Sequence, residues 1–144
     1  MITFPFDDRT ASAHGALVLR LALGVMFIAH ALLKVLVFTI PGTVQFFASL
    51  GLPSVLAYAT IAAELLGGLA LIVGFQVRAV SLALIPVLVG ATWVHAGNGW
   101  AFSNANGGWE YPAFLTVAAL AQALLGAGSF ALTSAKSAGY AAAE

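Results

Sequence analysis

Three ionisable side chains stand inside otherwise apolar sequence: His30, Lys34 and Glu64. His30 and Lys34 are four residues apart, so on a helix they share a face. Glu64 is the only charge in SVLAYATIAAELLGGLALIV, residues 54–73. An amine, an imidazole and a carboxylate together suit a quinone or proton site. Lys34 or His30 would donate to a carbonyl oxygen, and Glu64 would take the proton that accompanies each electron. The plainer alternative is a polar staple between two helices. Thr60, one turn before Glu64, could add a hydroxyl.

A second group sits in WVHAGNGWAFSNANGGWEYPAF, residues 93–114. Here His95, Asn98, Trp109, Glu110 and Tyr111 are candidate substrate contacts at the mouth of a pocket. Imidazole, amide and carboxylate are also metal-ligand types, but no tight ligand spacing appears, so no metal site is assigned. A histidine bonded to loop backbone is the preferred reading of His95. Pairing it with His30 around a haem is disfavoured, because the two would differ by about 6–9 Å in helix rise. Asn98-Gly99 and Asn106-Gly107 read as turns. No Lys or Arg accompanies Gly99, Gly107 and Gly108, which removes a phosphate cradle.

These residues need elements to hold them. The chain has 144 residues, 62% hydrophobic and only 7% charged, with mean hydropathy +1.03. Soluble domains carry about 25% charged residues. The composition therefore predicts an integral membrane protein in contact with lipid. A bilayer-spanning helix needs about 20 apolar residues, and four segments qualify: about 15–38, 54–75, 78–97 and 111–130. The expected fold is all-α, a single membrane domain over 1–144 built as a four-transmembrane-helix bundle. In connection 39–53, TVQFFASL reads as a short interfacial helix stopped by Gly51, with Pro53 beyond. The tail SAKSAGYAAAE reads as frayed.

Charge placement predicts orientation. Arg9, Arg20, Arg78 and Lys136 fall on one side, while connections 39–53 and 98–110 hold no Lys or Arg. Both termini are expected in the cytoplasm, with Arg20 and Arg78 as topology anchors, Arg78 snorkelling to the inner surface. Ala29-His30-Ala31 matches a signal-cleavage pattern, but the acidic leader and the continuing apolar run predict a retained helix. Side chains lean toward their helix N-terminus. Lys34 and Glu64, on oppositely running helices, should therefore converge, with His30 beside them. Ala59, Ala63, Gly67 and Gly74 form a small-residue stripe for close helix approach. Pro86 should kink the third helix.

Several classes are excluded. Without cysteine the chain forms no disulfide and no thiolate metal or iron–sulfur site. Its net charge is zero and no basic patch exists for nucleic acid. No covalent-cofactor motif is present, so electrons would have to come from a partner.

The runs LRLALGVMFIAHALLK, GTVQFFASLGLP, AAELLGGLALIVGFQVR and HAGNGWAFSNANGGWEYP, in that order, resemble the DoxX family of small four-helix membrane proteins, over about residues 17–130. The resemblance implies a bacterial cytoplasmic-membrane protein, named in the family as an oxidoreductase subunit after a subunit of a thiosulfate:quinone oxidoreductase. It points to Lys34, Glu64, Arg78 and Trp109-Glu110-Tyr111 as family-pattern positions. The expected role is a membrane subunit of a redox system that touches quinone or another lipophilic molecule and works with a redox protein or membrane complex. Whether the chain is itself an enzyme is left open, and a homo-oligomer is compatible with its size. Two other roles stay in view: a non-catalytic assembly subunit, and a small proton-coupled transporter working through Glu64. Lys34 argues against the second, since it would compete for the same carboxylate.

Overall fold

Asp7 starts the first helix well before the apolar run does. Its side chain accepts the Thr10 N–H at 2.7 Å, a serviceable N-cap. Hydrogen bonds from the Thr10 hydroxyl and N–H hold the Asp7 carboxyl below the ordinary carboxylate range. In the computed structural model, which describes residues 7–132, helix α1 runs Asp8–Leu32 and continues as a π-helical turn, Leu33–Val37. The element therefore begins seven residues before the expected 15, because capping chemistry rather than hydropathy sets its start. Lys136 and the SAKSAGYAAAE tail lie outside the described residues.

Helix α2 (Ile40–Ser49) is the short helix expected after it. Gly51, at φ 74°, donates to Ala48 O, and Leu52 donates to Phe47 O. That pair of bonds is a Schellman stop, which a left-handed glycine permits. Helix α3 (Ser54–Val73) ends the same way over Gly74, at φ 75°. Helix α4 covers Val77–His95 and passes into a 3₁₀ turn, Ala96–Asn98. Helix α5 covers Glu110–Leu125. Among the described residues there is no strand.

Three elements are long and apolar enough to cross a membrane: Asp8–Val37, Ser54–Val73 and Val77–Asn98. The fourth is shorter than the expected 111–130. Helix α5 has 16 residues, about 24 Å at 1.5 Å each, against a hydrocarbon core of about 30 Å. Gly126 and Gly128, both at positive φ, break it, and the chain turns to bond along α1 and α3: Ser129 N–H to Ala13 O, Leu132 N–H to Val73 O.

The closest pairings are α1 with α3 and α4 with α5. A Cβ on Gly24 would sit 2.9 Å from Gly68 O, and one on Gly68 would sit 2.8 Å from Gly24 O. The α1–α3 crossing thus needs two glycines. The expected stripe is displaced. Gly67 packs on Leu84 of α4, and Ala59 is exposed. The buried line on α3 is instead Ala57, Glu64, Gly68 and Leu71. Leu23, Phe27, Leu71, Leu84, Leu88 and Ala119 form the core between the pairs.

Candidate functional site

Glu64 occupies a buried position on α3, so its carboxylate must be paired or hydrated within the bundle. Lys34 pairs it: Nζ lies 2.8 Å from both Oε1 and Oε2. The side chains are 19% and 6% exposed respectively, which makes this a largely buried ion pair. The convergence expected from opposed helix directions is what the geometry contains.

Lys34 is carried by the π-helical turn Leu33–Val37, where Phe38 N–H bonds to Leu33 O five residues back. Such turns appear often at functional sites, because they re-aim side chains within a helix. Thr43 of α2, itself buried, donates its hydroxyl to Lys34 O at 2.9 Å. Thr39, between them, sits at φ 63° and caps α2 by accepting Gly42 N–H at 3.2 Å. A β-branched residue at positive φ stores local strain. Helix α2 is thus tied to the backbone that presents the ammonium. Thr60 makes no hydrogen bond to Glu64, so the added hydroxyl is not part of the pair.

His30 faces a different partner from Lys34. Its Nδ1 donates to Met26 O at 2.7 Å, which leaves Nε2 as the lone-pair nitrogen of the neutral ring. The ring stacks on Tyr111 of α5, with centroids 5.9 Å apart and planes at 26°. The Tyr111 hydroxyl donates to Met26 Sδ at 3.5 Å. So α1 reaches α3 through Lys34 and α5 through His30. In the neutral ring the expected donor role passes from His30 to Lys34, because the imidazole's one N–H is already spent on backbone.

The loop 99–109 closes over this end. His95 Nδ1 donates toward Asn106 O at 3.0 Å and Gly107 O at 3.1 Å, and Asn98 Nδ2 donates to the same two carbonyls. Both side chains build the loop. Trp109 N–H bonds to Gly99 O and Glu110 N–H to Trp100 O, while the two indoles meet edge to face at 4.5 Å. Gly108 is buried so tightly that a Cβ would strike Ala101 O and Trp100 O. Glu110 accepts Phe102 N–H at 2.9 Å. Glu110 and Tyr111 also line an open groove of about 500 Å³ with Trp100, Phe102 and Phe114. From sequence Trp100 suits an interfacial aromatic belt, and Phe102, Phe114 and Thr43 do not stand out as site residues. An aromatic beside a membrane surface has too common an explanation to stand out.

Arg20 and Arg78 belong to the opposite end, where both also bind backbone carbonyls. Arg20 is 1% exposed. Its guanidinium donates to Leu71 O, Ile72 O, Ser129 O and, at 3.4 Å, Phe130 O. Arg78 donates to Ala123 O and Leu124 O, both at 2.9 Å. Each arginine thus caps the last turn of a neighbouring helix, where free carbonyls and the dipole favour a cation. Arg78 is exposed, whereas Arg20 is too buried to reach solvent. Its fork of donors finds acceptors in the backbone instead.

Residues 15–97 match the DoxX family. The chain belongs to the DoxX family. The match takes in α1 through α4, including Lys34, Glu64, Arg20 and Arg78, and stops before the loop and α5. The chain is also 42% identical over 77 residues to the Bacillus subtilis (strain 168) protein named "Putative oxidoreductase CatD", covering 54% of this chain. It spans 56% of that relative's length. No solved structure matches.

Proposed function

We propose that this DoxX-family chain is the membrane subunit of a redox system and holds a quinone or other lipophilic small molecule in the outer half of its bundle. The observation that carries the proposal is the Lys34–Glu64 pair, kept in apolar surroundings on a π-helical turn. Lys34 has three N–H groups, and Glu64 engages it at two oxygens. One N–H therefore remains to polarise a carbonyl oxygen, and Glu64 is placed to take up a proton. The relative named as an oxidoreductase supports the reading, and electrons would come from a partner protein. The reading includes four spanning helices in a bacterial inner membrane, with the arginine end and both termini in the cytoplasm. Arg20 and Arg78 at one end, and a loop 98–110 free of Lys and Arg, support that orientation.

The transporter alternative loses ground, since a cationic substrate would have to displace the Lys34 ammonium from Glu64. An assembly role would draw on the small-residue stripe, but Gly67 and Gly74 of that stripe pack within the chain.

The test is mass spectrometry of an organic extract from gently purified protein, beside a Glu64→Gln/Lys34→Met variant. A quinone enriched with the wild type and lost with the variant is the expected result. Bulk lipid alone from both would overturn the proposal in favour of an assembly role.

A further inference from the structure

The ion pair leaves one carboxylate of the loop end unused. Glu110 Oε1 accepts Phe102 N–H, which fixes the carboxyl against the loop, and Oε2 has no hydrogen-bond partner among the described residues. This carboxylate borders the groove of about 500 Å³, and four of the seven lining residues are aromatic: Trp100, Phe102, Tyr111 and Phe114. We propose that this groove recognises a small lipophilic ammonium ion, held by Glu110 between these four aromatic walls.

The chemistry selects that class. Aromatic faces carry negative potential and attract cations, most strongly where water is scarce. A carboxylate among them adds a charge-assisted acceptor, roughly twice as strong as a neutral one. The remaining lining, Ala113 and Val117, is apolar and suits a hydrocarbon substituent. The volume lies within the ~300–1,000 Å³ usual for small-ligand sites. The occupant is a simple cation rather than a phospholipid headgroup. A headgroup amine brings a phosphate with it, and neither the groove nor residues 98–110 offer a Lys or Arg to meet one. The site is separate from the Lys34–Glu64 pair and holds whether or not that pair serves a quinone.

The experiment measures binding of benzyltriethylammonium to the protein in phosphatidylglycerol nanodiscs, read by tryptophan fluorescence. The control ligand is the neutral analogue with carbon in place of nitrogen. The expected result is saturable binding of the ammonium at least about tenfold tighter than the neutral analogue. Glu110→Gln keeps an oxygen for Phe102 N–H and should remove that preference. Trp100→Leu should weaken binding several-fold, and Glu64→Gln/Lys34→Met should leave it unchanged. Equal affinity for the two ligands in the wild type would overturn the proposal without reference to any variant. So would loss of binding in the Glu64→Gln/Lys34→Met protein, which would place the cation at the ion pair. Displacement of the probe by added phosphatidylethanolamine would overturn it as well, by assigning the groove to a lipid headgroup.

Discussion

At one end of the bundle Arg20 and Arg78 give their N–H groups to main-chain carbonyls. At the other, Lys34 gives its own to a side chain. The two arrangements obey different physics. A carbonyl at the end of a helix is always an acceptor, whatever the pH or the ligand, so the terminal N–H groups an arginine places there stay bonded, even though the buried Arg20 Nε has no partner among the described residues. A carboxylate can take a proton or turn toward another donor, so a lysine bound there is conditionally satisfied. The arginine end is architecture, and the lysine end can change state.

The sharpest way to break this contrast is at the arginine end. Arg20→Met should remove four donor contacts to main-chain carbonyls, one buried and three part-buried. We expect a loss of roughly 3 kcal/mol or more of stability, read as a lowered Tm in detergent. A variant as stable as the wild type would show that the carbonyls do not need the cation. Gly68→Val comes next. It forces side-chain atoms onto Gly24 O and should cost about 1–3 kcal/mol by separating α1 from α3.

The lysine end should behave differently. Glu64→Gln alone strands a buried ammonium and should cost about 2–3 kcal/mol, while adding Lys34→Met should recover much of it. Simple additivity in this cycle would mean that the pair is not coupled, and the contrast would fail. Thr43→Val removes one hydroxyl bond to the π-helical turn and should cost about 1 kcal/mol. Its Tm should fall less than that of Glu64→Gln. The smallest effect is at Asp7, whose exposed carboxyl lies below the ordinary carboxylate range. A depressed value means that the ionised form is favoured by folding. The cap's contribution is therefore present above the ordinary carboxylate value and lost as the pH falls through the folded one. Asp7→Asn should flatten that acid limb of the Tm profile and leave the neutral range nearly unchanged.

The sequence carried the lysine end better than the arginine end. Lys34 and Glu64 were legible because a charge in apolar sequence must find a partner, and helix direction told which one it could reach. The partners of Arg20 and Arg78 were not legible, because the carbonyls they bind carry no signal in side-chain identity. Any residue at positions 71, 72, 123 or 124 would present the same oxygen. The early start of α1 was missed for another reason, since it rests on the Asp7 side-chain cap, which an apolar run does not reveal, and the early end of α5 rests on two glycine conformations. The loop's turns were legible from Asn-Gly pairs. Its groove was not, because the groove arises where four aromatic side chains from two elements meet.

Gly74 and Gly126 permit turns, but each also makes room. A Cβ on Gly74 would fall 2.5 Å from the Arg20 guanidinium, and one on Gly126 would fall 2.9 Å from that of Arg78. Each arginine is seated in the space a side chain would have filled. The order of synthesis gives this seating a direction. Arg20 is made with the first helix, its first acceptors arrive some fifty residues later at 71 and 72, and its last arrive at 129 and 130. During translation the first helix therefore waits with an unspent guanidinium, and the segment after α5 completes its coordination. The latest-made stretch of described chain locks the earliest, so the bundle closes as a ring in time as well as in space.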